Sequence, residues 1–241
     1  MFNHIGHFAD ASEALAKSLF FGGVTNRFPQ LRVGLLEGGA AWGSNVFTHL
    51  IDRYVKRNRN AVQNYNPENL DQDFLYELFQ QYGADLVKDR KFTKEEIADL
   101  AFGVGFGRQF QVQKPEDIDD FALAGITKVE DIKDRWVDNF YFGNEADDRT
   151  VVQAFNPKTN QLGVKVNALY SSDSGHWDVP EFTETLAETY DLVKEGAITE
   201  EDFKSLVFTN PYNFYTANNK DFFKGTAVEE KLKQSATKQA A

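Results

Sequence analysis

The chain has 241 residues, 41% of them hydrophobic with 22 Phe and 3 Trp, enough for one large domain or two small ones with a sizeable core. Twenty-six Lys and Arg stand against 37 Asp and Glu, a net charge of -11; this excludes a binder of nucleic-acid backbones or of anionic membrane surfaces, both of which need a basic face. There is no cysteine, so disulfides, thiolate metal sites and a cysteine nucleophile are excluded, and a cytoplasmic enzyme is expected.

Met1–Asp10 lacks the basic start and apolar run of a signal peptide, and no apolar run approaches the ~20 residues of a membrane span. Asp10 and Glu13 have the spacing of a capping box, which predicts a helix over Ala11–Phe21 closed by Gly22-Gly23. Arg27-Phe28-Pro29-Gln30 reads as a turn into Leu31–Leu36, an apolar run too short for a helix and bounded by turn residues, hence a buried strand with Val33, Leu35 and Glu37 on one face. A helix from Ser44 to about Arg57 follows. Residues 58–134 change character: they are polar and mostly helical (Leu70–Asp89, Thr93–Phe102, Pro115–Leu123), with capping-box spacing at Thr93/Glu96 and Thr127/Glu130 and weak strand alternation only at Gln109–Gln113. This stretch reads as a helical insertion. Gly103-Val104-Gly105-Phe106-Gly107 within it lacks the Lys-Ser/Thr of a phosphate loop and reads as a hinge.

Strand character returns at Asn139–Gly143 and leads into the acidic Glu145-Ala146-Asp147-Asp148. Thr150–Phe155 is short and helical or extended, Asn156–Gly163 is rich in turn residues, and Val166–Ser171 alternates as a strand before breaking into Ser172-Asp173-Ser174-Gly175-His176-Trp177-Asp178. Helices are expected over Pro180–Glu195 and Thr199–Val207, the second stopped by Asn210-Pro211. Residues 226–241 form a polar, loosely held tail after a body of 1–225.

Strands alternating with helices predict an α/β fold with a parallel sheet. Each strand runs into an acidic residue (Glu37, Glu145, Asp173), and parallel strands bring such ends to one side. Asp173 suits a metal ligand and general base at a strand end, or equally a carboxylate that ends the strand. His176 could donate a proton or orient substrate, or pack on Trp177. Glu37 could line the mouth, or pair with Arg32 or Arg53. Glu145, Asp147 and Asp148 could bind a cation, with an exposed acidic loop as the default reading; His49 reads as structural, and His4 and His7 as no convincing pair. No serine-hydrolase elbow, zincin motif or dinucleotide fingerprint is present.

Arg27–Trp42 (RFPQLRVGLLEGGAAW), Asn139–Asp148 (NFYFGNEADD), Ser171–Asp178 (SSDSGHWD) and Glu195–Asn210 (EGAITEEDFKSLVFTN) together resemble the amidohydrolase superfamily, in particular its branch of aminocarboxymuconate-semialdehyde decarboxylase-like proteins. The resemblance implies a TIM-barrel type fold. It implies a partial (β/α)8 barrel, in which Leu31–Glu37, Asn139–Gly143 and Val166–Asp173 would be strands six to eight, with one divalent metal ion, zinc or similar, at the mouth. Asp173 falls on that family's metal ligand and proton-transfer residue, and His176 on a histidine that often follows it. Glu37 stands where many relatives carry a sixth-strand histidine. The family's early His-x-His is absent, so the resemblance implies only the C-terminal part of such a barrel, with a start assigned at the sole methionine as the expected cause. The implied function is metal-dependent hydrolysis of a small molecule. Non-oxidative decarboxylation, or a catalytically incomplete fragment that binds or self-associates through open strand edges, is the alternative.

Overall fold

A computed structural model describes residues 5–58, 60–83, 91–97 and 119–239. The chain divides into two compact units, one of Met1–Asp52 with Ala124–Ala241 and one of Arg53–Leu123.

The first unit is built on three parallel strands, β1 (Val33–Leu35), β2 (Phe140–Glu145) and β3 (Asn167–Ser171), in the order β1-β2-β3. Val33 pairs with Phe140, Tyr141 with Asn167 and Glu145 with Ser171. Helix, not strand, dominates the described residues. The sheet is open, which corrects the expectation of a partial (β/α)8 barrel. In a barrel one face of every strand looks into a closed interior filled by other strands; here helices cover both faces.

On one face Phe140 and Phe142 meet Trp136 (ring centroids 4.7 and 6.0 Å apart), and Trp42 meets Phe142 edge-on at 5.0 Å. These rings come from α3 (Ala41–Arg57), whose buried Trp42, Val46, Phe47, Leu50 and Ile51 recur at helical spacing, and from α4 (Val129–Asn139), which runs directly into β2. The Trp136 indole N–H donates to the Gly43 carbonyl at 3.1 Å, fastening the two helices. α1 (His7–Phe21) adds Phe20, edge-on to Trp136.

On the other face Phe214 packs on Tyr141 at 5.2 Å and on Gly34. Phe214 lies on α6 (Asn210–Thr216), which continues from α5 (Glu200–Lys204) through one wide turn, Ser205–Thr209. The sequence places a helix stop at Asn210-Pro211. Instead the wide turn of π type removes the clash between the proline ring and the preceding turn, and Pro211 opens α6, where its missing N–H costs little. Asn210 then reaches the sheet and donates to the Ala168 carbonyl at 2.9 Å.

Other boundaries shift for local reasons. α1 begins at His7, so Asp10 lies in its first turn and does not cap it. Arg27, expected to open a turn, instead ends a single helical turn, Val24–Arg27. Thr127 is satisfied by Asp131, not Glu130: that carboxylate accepts from the Thr127 N–H and hydroxyl, both at 2.8 Å. The β2–β3 link is held by buried Asn160, whose amide donates to the carbonyls of Gln153, Ala154 and Val164. The helix expected over Pro180–Glu195 is observed as Thr185–Lys194. The polar tail forms a helix, Ala227–Gln239.

Within the second unit, Gln72–Tyr82 is a helix capped by Asp71, which accepts from the Phe74 N–H at 2.9 Å. Thr93 and Glu96 cap each other reciprocally, Lys94 pairs with Asp73, and Tyr54 meets Phe121 edge-on at 5.3 Å. His4, Gly103–Gly107, Gln109–Gln113 and the outer parts of the helices expected at Leu70–Asp89, Thr93–Phe102 and Pro115–Leu123 lie outside the described residues. No helix among the described residues is long and apolar enough to cross a membrane.

Candidate metal centre at the strand ends

Because the three strands are parallel, their carboxyl ends lie side by side. After Leu35 the chain crosses the end of β2: a Cβ on Gly143 would lie 2.9 Å from the Leu36 Cα and 3.3 Å from the Glu37 nitrogen, so only glycine admits the crossing. Glu37 itself adopts a left-handed backbone, φ 60°. Gly39 (φ 71°) turns directly against the Asp148 carboxylate, where a side chain would collide. Asp148 in turn accepts from the Thr150 N–H at 2.8 Å and the Thr150 hydroxyl at 2.6 Å. Asn144, buried behind this loop, donates to the carbonyls of Glu145 and Asp148 at 2.9 and 3.2 Å.

These contacts gather carboxylates around Glu145 at the end of β2. Partial burial raises its pKa first, and repulsion from Asp173, Asp147, Glu37 and Asp148 raises it further. The acidic loop that reads from sequence as merely solvated therefore has a member held in an unfavourable field.

β3 ends at Ser171, and two residues later Asp173 also takes a left-handed backbone, φ 52°. A non-glycine residue there sits in a sparsely populated region, and both Glu37 and Asp173 do so at neighbouring strand ends. Past Asp173 the loop folds back: the His176 N–H donates to the Asp173 carbonyl at 3.2 Å, and His176 Nδ1 stands 2.9 Å from Asp173 Oδ2. That contact orients the imidazole and leaves Nε2 as the outward nitrogen. Asp178 joins them, with one ligand atom from each of Asp173, His176 and Asp178 lying within 4.8 Å of one another. Trp177, between two of them, is 93% exposed.

The donor set fits a divalent ion. Two carboxylates and an imidazole are a normal set for zinc or a similar metal, and a tetrahedral ion with ligands at ~2.1 Å spaces its donors ~3.4 Å apart. The group stands within 4.8 Å, wider than that spacing, and His176 and Asp178 are exposed. Asp173 and His176 thus come together, with Glu37 beside Glu145 behind them. His7 and His49 are not part of the group. Asp178 is not among the candidates that the sequence singles out, although its spacing from His176 on a tight loop is the available signal.

Comparison with protein-family models, with curated proteins and with solved structures finds no match to this chain. What the strand-end group does is therefore argued from its own atoms.

Proposed function

We propose that the chain is a metal-dependent hydrolase of the amidohydrolase type acting on a small molecule, with Asp173, His176 and Asp178 holding one divalent ion. The observation that carries this reading is the meeting of three ligand atoms within 4.8 Å beside a backbone-strained aspartate at the end of β3. When bound, the ion supplies Lewis-acid polarisation of the scissile carbonyl. Asp173 accepts the proton of the water that adds to the carbonyl carbon. The same proton then passes to the leaving amine or alkoxide as its bond to that carbon breaks, so the carboxylate is regenerated. The Nδ1 contact with Asp173 sets the plane of the His176 ring, and Glu37 and Glu145 supply negative potential that favours cation entry. A large cysteine-free chain suits the reducing cytoplasm, and we place the reaction there.

Trp177 gives a direct test. Of the three tryptophans, Trp42 and Trp136 are 8% and 0% exposed, so ligand-induced change in exposed-indole emission reports this loop. Titration with zinc or cobalt is expected to change Trp177 emission saturably, with one ion per chain by elemental analysis. Asp173→Asn should weaken binding a hundredfold or more while the circular dichroism stays unchanged. A folded chain that takes up no metal would reject the hydrolase and make this a non-catalytic binding module.

A further inference from the structure

The opposite end of the same sheet carries a second candidate site. Arg32 stands just before β1, while Tyr141 and Asn167, paired in register, stand at the starts of β2 and β3. They line a groove of about 570 Å³ together with Asp138, Asn213 and Lys220, a size suited to a small metabolite. The Arg32 guanidinium is fixed in place: Nη1 donates to the carbonyls of Pro29 and Leu31 at 2.9 and 3.2 Å, and the side chain hydrogen-bonds Tyr141. Asn139 donates to the same two carbonyls, so the segment that carries Arg32 is itself held.

Among the described residues no carboxylate stands within 4.0 Å of the charged nitrogens of Arg32 or Lys220, although Asp138 lines the same groove. The chain has a net charge of -11, yet this groove gathers two cations against one carboxylate, Asp138, and one of the cations is a guanidinium whose plane is already set. A fixed guanidinium meets an oxyanion with two parallel donors and loses little freedom in doing so.

We propose that this groove binds a small oxyanion, a carboxylate or phosphate borne by a metabolite-sized molecule, through Arg32 and Lys220. Asp138 on the same wall accepts from a hydroxyl or ammonium group of that molecule. The site stands independently of the metal-centre reading, since the two lie at opposite ends of the strands.

Isothermal titration of the full chain with inorganic phosphate and, separately, with citrate tests it, and separates the two sources of the anion. Saturable binding of at least one probe is expected, weakened tenfold or more in both Arg32→Gln and Lys220→Gln, and unchanged in Asp173→Asn. Lys220 is exposed, so Lys220→Gln tests the site even if the Arg32 variant unfolds. Absence of saturable binding to both probes would overturn the proposal, as would binding that survives Lys220→Gln or disappears in Asp173→Asn.

Discussion

Glu37 and Asp173 hold left-handed backbones at φ 60° and 52°, conformations that cost a non-glycine residue roughly 1 kcal/mol. Glu37→Gly should therefore raise stability by up to about 1 kcal/mol in urea unfolding; a loss of stability would mean that the Glu37 side chain contributes more than its backbone costs. Asp202 presents the reverse case. Burial raises its carboxyl, but hydrogen bonds from Lys165 (2.6 Å) and from the Thr199 hydroxyl (2.7 Å) and N–H (3.0 Å) outweigh burial and lower its pKa. The folded chain thus holds that proton less tightly than the unfolded one. The contribution is fully present above the ordinary value of 3.8 and is lost as pH falls through the lowered folded one. Asp202→Ala should cost about 2 kcal/mol at neutral pH, and the difference from the unmodified chain should shrink in melts taken at strongly acid pH. Asp173 and Glu37 were legible as strand-end acids because a short apolar run followed by Gly or Ser has few other readings. The perturbed state of Glu145 was not legible, since it depends on a crossing over Gly143 that no local pattern encodes.

The elements were legible where burial imposes a period and poorly legible where a single contact sets a boundary. α3 shows its helical spacing of apolar residues openly, whereas the wide turn at Ser205–Thr209 depends on Asn210 reaching Ala168 across the sheet. α3 also packs closely on the sheet at Gly43. A Cβ on Gly43 would lie 2.6 to 2.8 Å from three atoms of the Phe142 ring. Alanine favours helix over glycine, yet here it must displace a fully buried ring, and Gly43→Ala should destabilise by about 1–3 kcal/mol. Chemical denaturation checks this, and a neutral or stabilised variant would show that the Phe142 ring has room to turn. The barrel expectation failed at this same scale: strand, helix and strand read alike in an open sheet and a closed one, and the open three-strand order, with Phe214 packed on Tyr141, tells them apart.

In the first unit the parallel strands gather Glu37, Glu145 and Asp173 at one end of the sheet, with Arg32 and Asp138 at the other. The raised pKa of Glu145 means that the folded chain holds this proton more tightly than the unfolded chain does. Stability then falls as pH rises from the ordinary value of 4.5 through the folded one, and the penalty is complete above it. Glu145→Gln should accordingly raise the melting temperature at neutral pH in the presence of a chelator, with the gain fading as the pH approaches 4.5; a gain unchanged by pH would assign it to packing. The sheet also fixes an order of events. Tyr141 pairs with Asn167 within one local stretch, whereas Val33 must wait for Phe140, roughly a hundred residues downstream, and closing so long a loop is slow. At ~5–20 residues per second of synthesis, β1 leaves the ribosome many seconds before its partner strand exists. In that interval it depends on other contacts, or on chaperones, to stay out of intermolecular strand pairing.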